Sequence, residues 1–104
     1  MSTHIIRFSQ NGTIQYLRED GLLDRPNGPA IICRDGSRQW WRGGRLHRRG
    51  GPAVVWANGT QEYWSLGRLH RRDGPAIIWP DGCLDFWEHG EWLRSVIVAD
   101  GGLI

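Results

Sequence analysis

Four histidines, two cysteines and eleven carboxylates are the side chains through which this chain of 104 residues could do chemistry. His47 and His70 stand 23 residues apart in matching contexts. One zinc ion would need their nitrogens about 2.1 Å from it, hence roughly 4 Å from each other. If each 23-residue stretch supplies two strands, matching residues lie about 10 Å apart. The two histidines are therefore expected to bond linker backbone. His4 and His89 match no such position, and no Cys-x-x-Cys or His-x-x-x-His spacing is present. No metal and no other cofactor is expected.

Cys33 and Cys83 should lie on the order of 20 Å apart by strand counting, beyond the span of a disulfide. Trp56 and Trp79 hold the positions that match Cys33, so Cys33 reads as a small core substitute rather than a nucleophile. Asp35 and Asp81 belong to turns, while Glu62 and Asp85 alternate along strands. No carboxylate pair is set apart for acid–base work. No phosphate loop, nucleotide fingerprint or nucleophile elbow occurs either. An enzyme is not expected.

The remaining chemistry is that of recognition. All thirteen basic residues are Arg, and Arg stacks on aromatic rings and grips carboxylate or phosphate with two prongs. Charge is uneven along the chain. Residues 27–49 carry six Arg and one acid, net +5, residues 50–72 net +2, and residues 73–95 net −4. Arg42, Arg45, Arg48, Arg49, Arg68, Arg71 and Arg72 fall beside Trp41 and Trp64, and Trp87 continues the same Trp column. These ten residues are the expected partner-binding set. Acidic protein surface, a nucleotide or nucleic acid would suit them. A sequence pI of 8.9 is below that of a dedicated DNA binder. The acidic end of one copy meeting the basic end of another, a homo-oligomer, is a further expectation.

A repeat must position these residues. Gly-Pro-Ala occurs at 28–30, 51–53 and 74–76, a spacing of 23 each time. Two β-branched residues follow it (Ile31-Ile32, Val54-Val55, Ile77-Ile78). A turn dipeptide comes next (Asp35-Gly36, Asn58-Gly59, Asp81-Gly82), then an aromatic pair (Trp40-Trp41, Tyr63-Trp64, Phe86-Trp87). Asn-Gly and Asp-Gly between β-prone segments predict hairpins with type I′ turns. Residues 1–26 are a degenerate N-terminal copy, with Asn11-Gly12 and Tyr16-Leu17 in the matching places. Residues 27–49, 50–72 and 73–95 are the full copies. Residues 96–104 form a C-terminal cap, in which Val96-Ile97-Val98 is a last strand before Asp100-Gly101-Gly102.

With Asp35-Gly36 at the turn centre, Cys33 lies opposite Arg38, Ile31 opposite Trp40 and Ala30 opposite Trp41. Period two then puts Ile31, Cys33 and Trp40, with their counterparts, on the core face. Ala30, Ile32 and Trp41, with theirs, fall on the more exposed one. At this length a single domain buries roughly 60–65% of its unfolded surface. Seven Trp fit a thin core built from large side chains. No 18-residue apolar run predicts a membrane span. The N-terminus has no signal-peptide h-region, and a cytoplasmic location is expected.

The linkers Leu46-His47-Arg48-Arg49-Gly50-Gly51-Pro52-Ala53 and Leu69-His70-Arg71-Arg72-Asp73-Gly74-Pro75-Ala76 carry a resemblance. They are similar to the MORN repeat in its Leu-His-Arg-x-x-Gly-Pro-Ala variant, found in bacterial, phage and large-virus proteins. The resemblance covers residues 27–95. It implies an all-β fold, an elongated antiparallel sheet of tandem 23-residue hairpins. MORN repeats are associated with phospholipids, dimerisation and protein partners. Small proteins of the variant type resemble phage or prophage accessory products. The resemblance thus implies a non-catalytic module in the host cytoplasm that binds and blocks a bacterial host or defence protein.

Overall fold

In the computed structural model, which describes residues 4–99 and 102–103, the Asp-Gly and Asn-Gly dipeptides do reverse the chain. The loop is one residue longer than a type I′ turn. Cys33 N donates to Ser37 O at 2.8 Å and Gly36 N to Cys33 O at 3.0 Å. Gly36 closes the loop in the left-handed region, φ 96°. This is the three-residue loop of a type I turn with a Gly bulge. Ser9–Thr13, Trp56–Thr60 and Trp79–Cys83 make the same pair of bonds. The reason lies in the residue before the Gly. Asp35 Oδ1 accepts from Ser37 N at 2.8 Å and Asn58 Oδ1 from Thr60 N at 2.9 Å. Such a side-chain bond favours a type I turn without positive φ at the Asp or Asn.

The longer loop corrects the expected register. Ile31 lies opposite Gln39 and Ile32 opposite Arg38, while Cys33 meets Ser37. A slip of one residue moves aromatic positions to the other face. Trp41, Trp64 and Trp87 therefore share a face with Ile31, Val54 and Ile77. Trp40, Tyr63 and Phe86 share the face of Ala30, Ala53 and Ala76.

The fold is all-β, with no helix among the described residues. One antiparallel sheet of nine strands runs β1 (Ile5–Phe8), β2 (Ile14–Leu17), β3 (Ile31–Ile32), β4 (Arg38–Gln39), β7 (Val54–Val55), β8 (Gln61–Glu62), β11 (Ile77–Ile78), β12 (Leu84–Glu88) and β13 (Glu91–Val96). Three two-stranded ribbons complete it. They are β5 (Trp41–Arg42) with β6 (Arg45–Leu46), β9 (Trp64–Ser65) with β10 (Arg68–Leu69), and β14 (Val98–Ala99) with β15 (Gly102–Leu103). The expected last strand is thus divided, Val96 ending β13 and Val98 opening β14. Asp100 and Gly101, expected to follow it, lie outside the described residues.

The first two ribbons carry the type I′ geometry. Gly43 and Gly44 have φ 54° and 82°, and Leu66 and Gly67 have φ 49° and 84°. Each stretch between Gly-Pro-Ala triplets therefore holds two reversals, where the sequence pattern predicted one. Ala30, Ala53 and Ala76 are wholly buried. Ala53, for example, donates to Glu62 O at 2.8 Å and accepts from Trp40 N at 2.7 Å. Val54, 2% exposed, is the largest fully buried side chain, and it lies on the opposite face with the buried Ile77. The Cα radius of gyration is 15.3 Å and the extents are 49 × 28 × 18 Å. A compact chain of this length would have a radius near 13 Å. The sheet is elongated.

Two buried side-chain groups lack a partner among the described residues, Thr60 Oγ1 and Trp87 Nε1, and the first follows from a break in a repeated contact. Ser37 Oγ accepts from Ala57 N at 2.8 Å. Thr60 occupies the matching place, but Pro80 stands where its donor should be and has no N–H. Thr60 Oγ1 is consequently buried without a hydrogen bond among the described residues. Thr60→Val should leave stability unchanged or raise it by up to about 1 kcal/mol, whereas Ser37→Ala should cost about 1 kcal/mol. Thermal unfolding of the two variants checks this. A clear loss in Thr60→Val would show that the hydroxyl is satisfied after all.

Candidate functional site

On the alanine face, a stack of guanidinium groups covers a stack of rings. Arg25 lies over Tyr16 at 3.8 Å, Arg48 over Trp40 at 3.9 Å, Arg71 over Tyr63 at 4.0 Å and Arg94 over Phe86 at 4.0 Å. The first three each also donate from Nη1 to a proline carbonyl, of Pro29, Pro52 and Pro75, at 3.1–3.2 Å. The glycine between is needed for this approach. A Cβ on Gly51 would come within 2.8 Å of the Arg48 guanidinium, and on Gly28 or Gly74 within 3.0 Å of Arg25 or Arg71. Arg-x-x-Gly-Pro-Ala is thus one structural unit: a cation on a ring, a glycine that lets it lie flat, a carbonyl that holds it, and a buried alanine.

Grooves open beside each stacked pair. The first, about 450 Å³, is lined by Arg25, Trp40, Arg42, His47, Arg48 and Arg49 among others. The second, about 600 Å³, is lined by His47, Arg48, Arg49, Trp64, Arg71 and Arg72 among others. Arg49 and Arg72 are exposed and enter no ion pair among the described residues. Arg42 is half-exposed and its Nε lies 3.4 Å from Asp24 Oδ1.

His47 joins the grooves to the ribbons. Its Nδ1 accepts from Leu66 N at 3.1 Å, and His70 Nδ1 accepts from His89 N at 2.9 Å. Leu66 and His89 are the non-glycine residues with positive φ among those described, 49° and 51°. A left-handed residue with a Cβ costs about 1–2 kcal/mol. The imidazole bond to its N–H helps to offset that cost. Burial, then the neighbouring Arg42 and Arg49, lower the pKa of His47. Burial, then His89, whose ring centroid is 4.4 Å away, do the same for His70. Both rings are kept neutral, with Nδ1 free to accept. Asp24 plays this part earlier in the chain, accepting from Gly43 N at 2.7 Å. Burial opposes its ionisation, but bonds from His4, Gly43 and Arg42 outweigh it and lower its pKa.

Comparison with protein-family models, curated proteins and solved structures found no match for this chain.

The expected partner-binding residues divide. Arg42, Arg48, Arg49, Arg71, Arg72 and Trp64 come together along the two grooves. Arg48 and Arg71 are at the same time spent on the chain's own rings and carbonyls. Arg45 and Arg68 lie instead against Gly67 in the β9–β10 turn and Gly90 in the β12–β13 turn. Trp41 Nε1 bonds Gln39 at 2.9 Å and Trp64 Nε1 bonds Glu62 at 2.8 Å. Trp87 Nε1 has no partner among the described residues: Asp85 is a methylene shorter than Glu62, and its two oxygens accept from Trp79 Nε1 and Ser95 Oγ. Arg25, Trp40 and Tyr63 build the grooves yet were outside the expected set. Their signal was the arginine three residues before each Gly-Pro-Ala. Among the described residues, no three His, Cys, Asp or Glu side chains converge, and burial followed by Asp35 raises the Cys33 thiol pKa.

Proposed function

We propose that the chain is a non-catalytic recognition module of tandem 23-residue MORN-like units, and that its arginine-lined grooves dock on an acidic protein surface. The observation that carries the reading is the state of Arg49 and Arg72. They stand exposed at the grooves with no ion-pair partner among the described residues, beside arginines already fixed on aromatic rings. Rigid Arg and aromatic surface is the usual composition of an interface hot spot. The unit reading is supported by contacts that return 23 residues on, as in Ala30–Gln39, Ala53–Glu62 and Ala76–Asp85. The resemblance to small phage repeat proteins extends the proposal to an accessory protein that blocks a bacterial host or defence protein.

The test is a comparative pull-down from bacterial lysate with wild-type chain and the Arg49→Glu/Arg72→Glu variant as baits. A partner held by wild-type and lost by the variant, with both baits unfolding at the same temperature, is the expected result. Recovery of the same proteins by both baits would remove the docking role of these arginines. Competition by a single-stranded oligonucleotide at low salt, fading steeply as salt rises, would favour nucleic acid instead.

A further inference from the structure

A third groove opens beside the stacked pairs among the described residues, and the linings of the three differ in a graded way. The third, about 470 Å³, lies beside Arg71, Phe86 and Arg94. The residue at the end of the ring-bearing strand lines each groove and changes from Arg42 to Ser65 to Glu88. Asp73 lines the second and third grooves, whereas its counterparts earlier in the chain, Gly50 and Asn27, carry no charge. The first groove therefore holds four guanidinium groups and no carboxylate. The second holds four and one carboxylate, and the third three and two.

We propose that the first groove is a binding site for a small molecule carrying a dianionic phosphoryl group. Arg25, Arg48 and Arg49 enter no ion pair among the described residues, and Arg42 meets only Asp24, through Nε at 3.4 Å, so the cluster keeps an excess of positive charge that a dianion offsets more fully than a single carboxylate does. Phosphoryl oxygens match the fork of arginine. Arg25 and Arg48 are pre-set by their rings and by the Pro29 and Pro52 carbonyls, so little freedom is lost when an anion arrives. Arg42 reaches Asp24 through Nε, which leaves its terminal nitrogens for a ligand. His47 supplies a neutral donor. Its Nδ1 is taken by Leu66 N–H, which puts the ring proton on Nε2. The volume, about 450 Å³, falls in the range of roughly 300–1,000 Å³ usual for small-molecule sites.

Arg49 belongs both to this site and to the protein-docking proposal, but the two fail separately, because this one is read by titration of the purified chain with pyrophosphate and first through Arg42. Isothermal titration of pyrophosphate, at ionic strength matched with chloride, tests it. Wild-type chain should bind one equivalent, and Arg42→Ser should bind about tenfold more weakly or worse, the loss of one charge-assisted hydrogen bond. The frame accommodates that change, since Ser65 already fills the equivalent place. Arg49→Ser serves as a second variant should Arg42→Ser unfold. Glu88→Arg, which removes an acid from the third groove, should raise the stoichiometry toward two. Absence of any pyrophosphate binding, or equal binding by wild-type and both serine variants, would overturn the proposal. Inorganic phosphate and adenosine diphosphate in parallel titrations separate a bare phosphoryl site from one that also holds the attached molecule.

Discussion

Replacing Arg48 and Arg71 together by alanine should lower the unfolding free energy by about 3–6 kcal/mol. Each loses a cation–π contact of roughly 0.5–2 and a carbonyl hydrogen bond of about 1 kcal/mol. The matched variant Arg49→Ala/Arg72→Ala should stay within about 0.5 kcal/mol of wild-type, as exposed substitutions without contacts do. The four residues are adjacent pairs of the same type, so composition and net charge change identically in the two variants. The difference is geometry. Arg48 lies 3.9 Å over Trp40 and Arg71 4.0 Å over Tyr63, and their removal bares two rings. Urea unfolding followed by tryptophan fluorescence reads both variants. Equal midpoints would show that the stacked guanidinium groups do not hold the frame. The same comparison bears on binding: a loss of affinity in Arg48→Ala/Arg71→Ala would reflect a collapsed groove, so the ligand must be sought through Arg42, Arg49 and Arg72.

Acid should loosen the chain below the ordinary imidazole range, and two substitutions should abolish the effect. His47 and His70 have pKa values lowered in the folded state. Between the folded values and about 6.5 the unfolded chain binds more protons than the folded one, so stability rises with pH there. It is full above about 6.5 and is lost as pH falls through the folded values. Protonation takes away the Nδ1 acceptors of Leu66 N and His89 N, bonds of about 1 kcal/mol each. Asp24 indicates the remedy. Its Oδ1 bonds Gly43 N across the same separation of 19 residues that divides His47 from Leu66 and His70 from His89. Oδ1 of Asp and Nδ1 of His hang from the same Cγ, so their reach is alike. His47→Asp/His70→Asp should keep the left-handed turns at neutral pH and flatten the loss between about pH 6.5 and 5, since Asp stays ionised there. Melting temperatures across that range decide it. A variant as acid-sensitive as wild-type would place the cause elsewhere.

Much of this architecture was written in the residue pattern, and its omissions have physical causes. The recurrence of Gly-Pro-Ala before β-branched pairs located β3, β7 and β11 and implied an antiparallel sheet. The register was not legible, because Asp35-Gly36 suits both a two-residue and a three-residue loop. The carboxylate of Asp35, bonded to Ser37 N, tips the balance and turns Trp41 to the other face. The second reversal in each unit could be read at Gly43-Gly44 but not at Leu66-Gly67 or His89-Gly90. There a disfavoured backbone is stabilised from 19 residues away by a histidine. The grooves were half visible. Arg42, Arg49 and Arg72 were identified as surface cations, whereas the service of Arg25, Arg48 and Arg71 to their own chain depends on contacts that spacing hints at and geometry reveals.

Strand order in the large sheet follows chain order from β1 to β13, broken only where a ribbon is set aside. Each strand thus meets a partner synthesised just before it, and every pairing closes a short stretch of chain, for which the entropic cost is small. A polypeptide leaving the ribosome can lay this sheet down like courses of brick. The growing edge, the part most prone to wrong pairing, then moves along the nascent chain until β13 takes the final place.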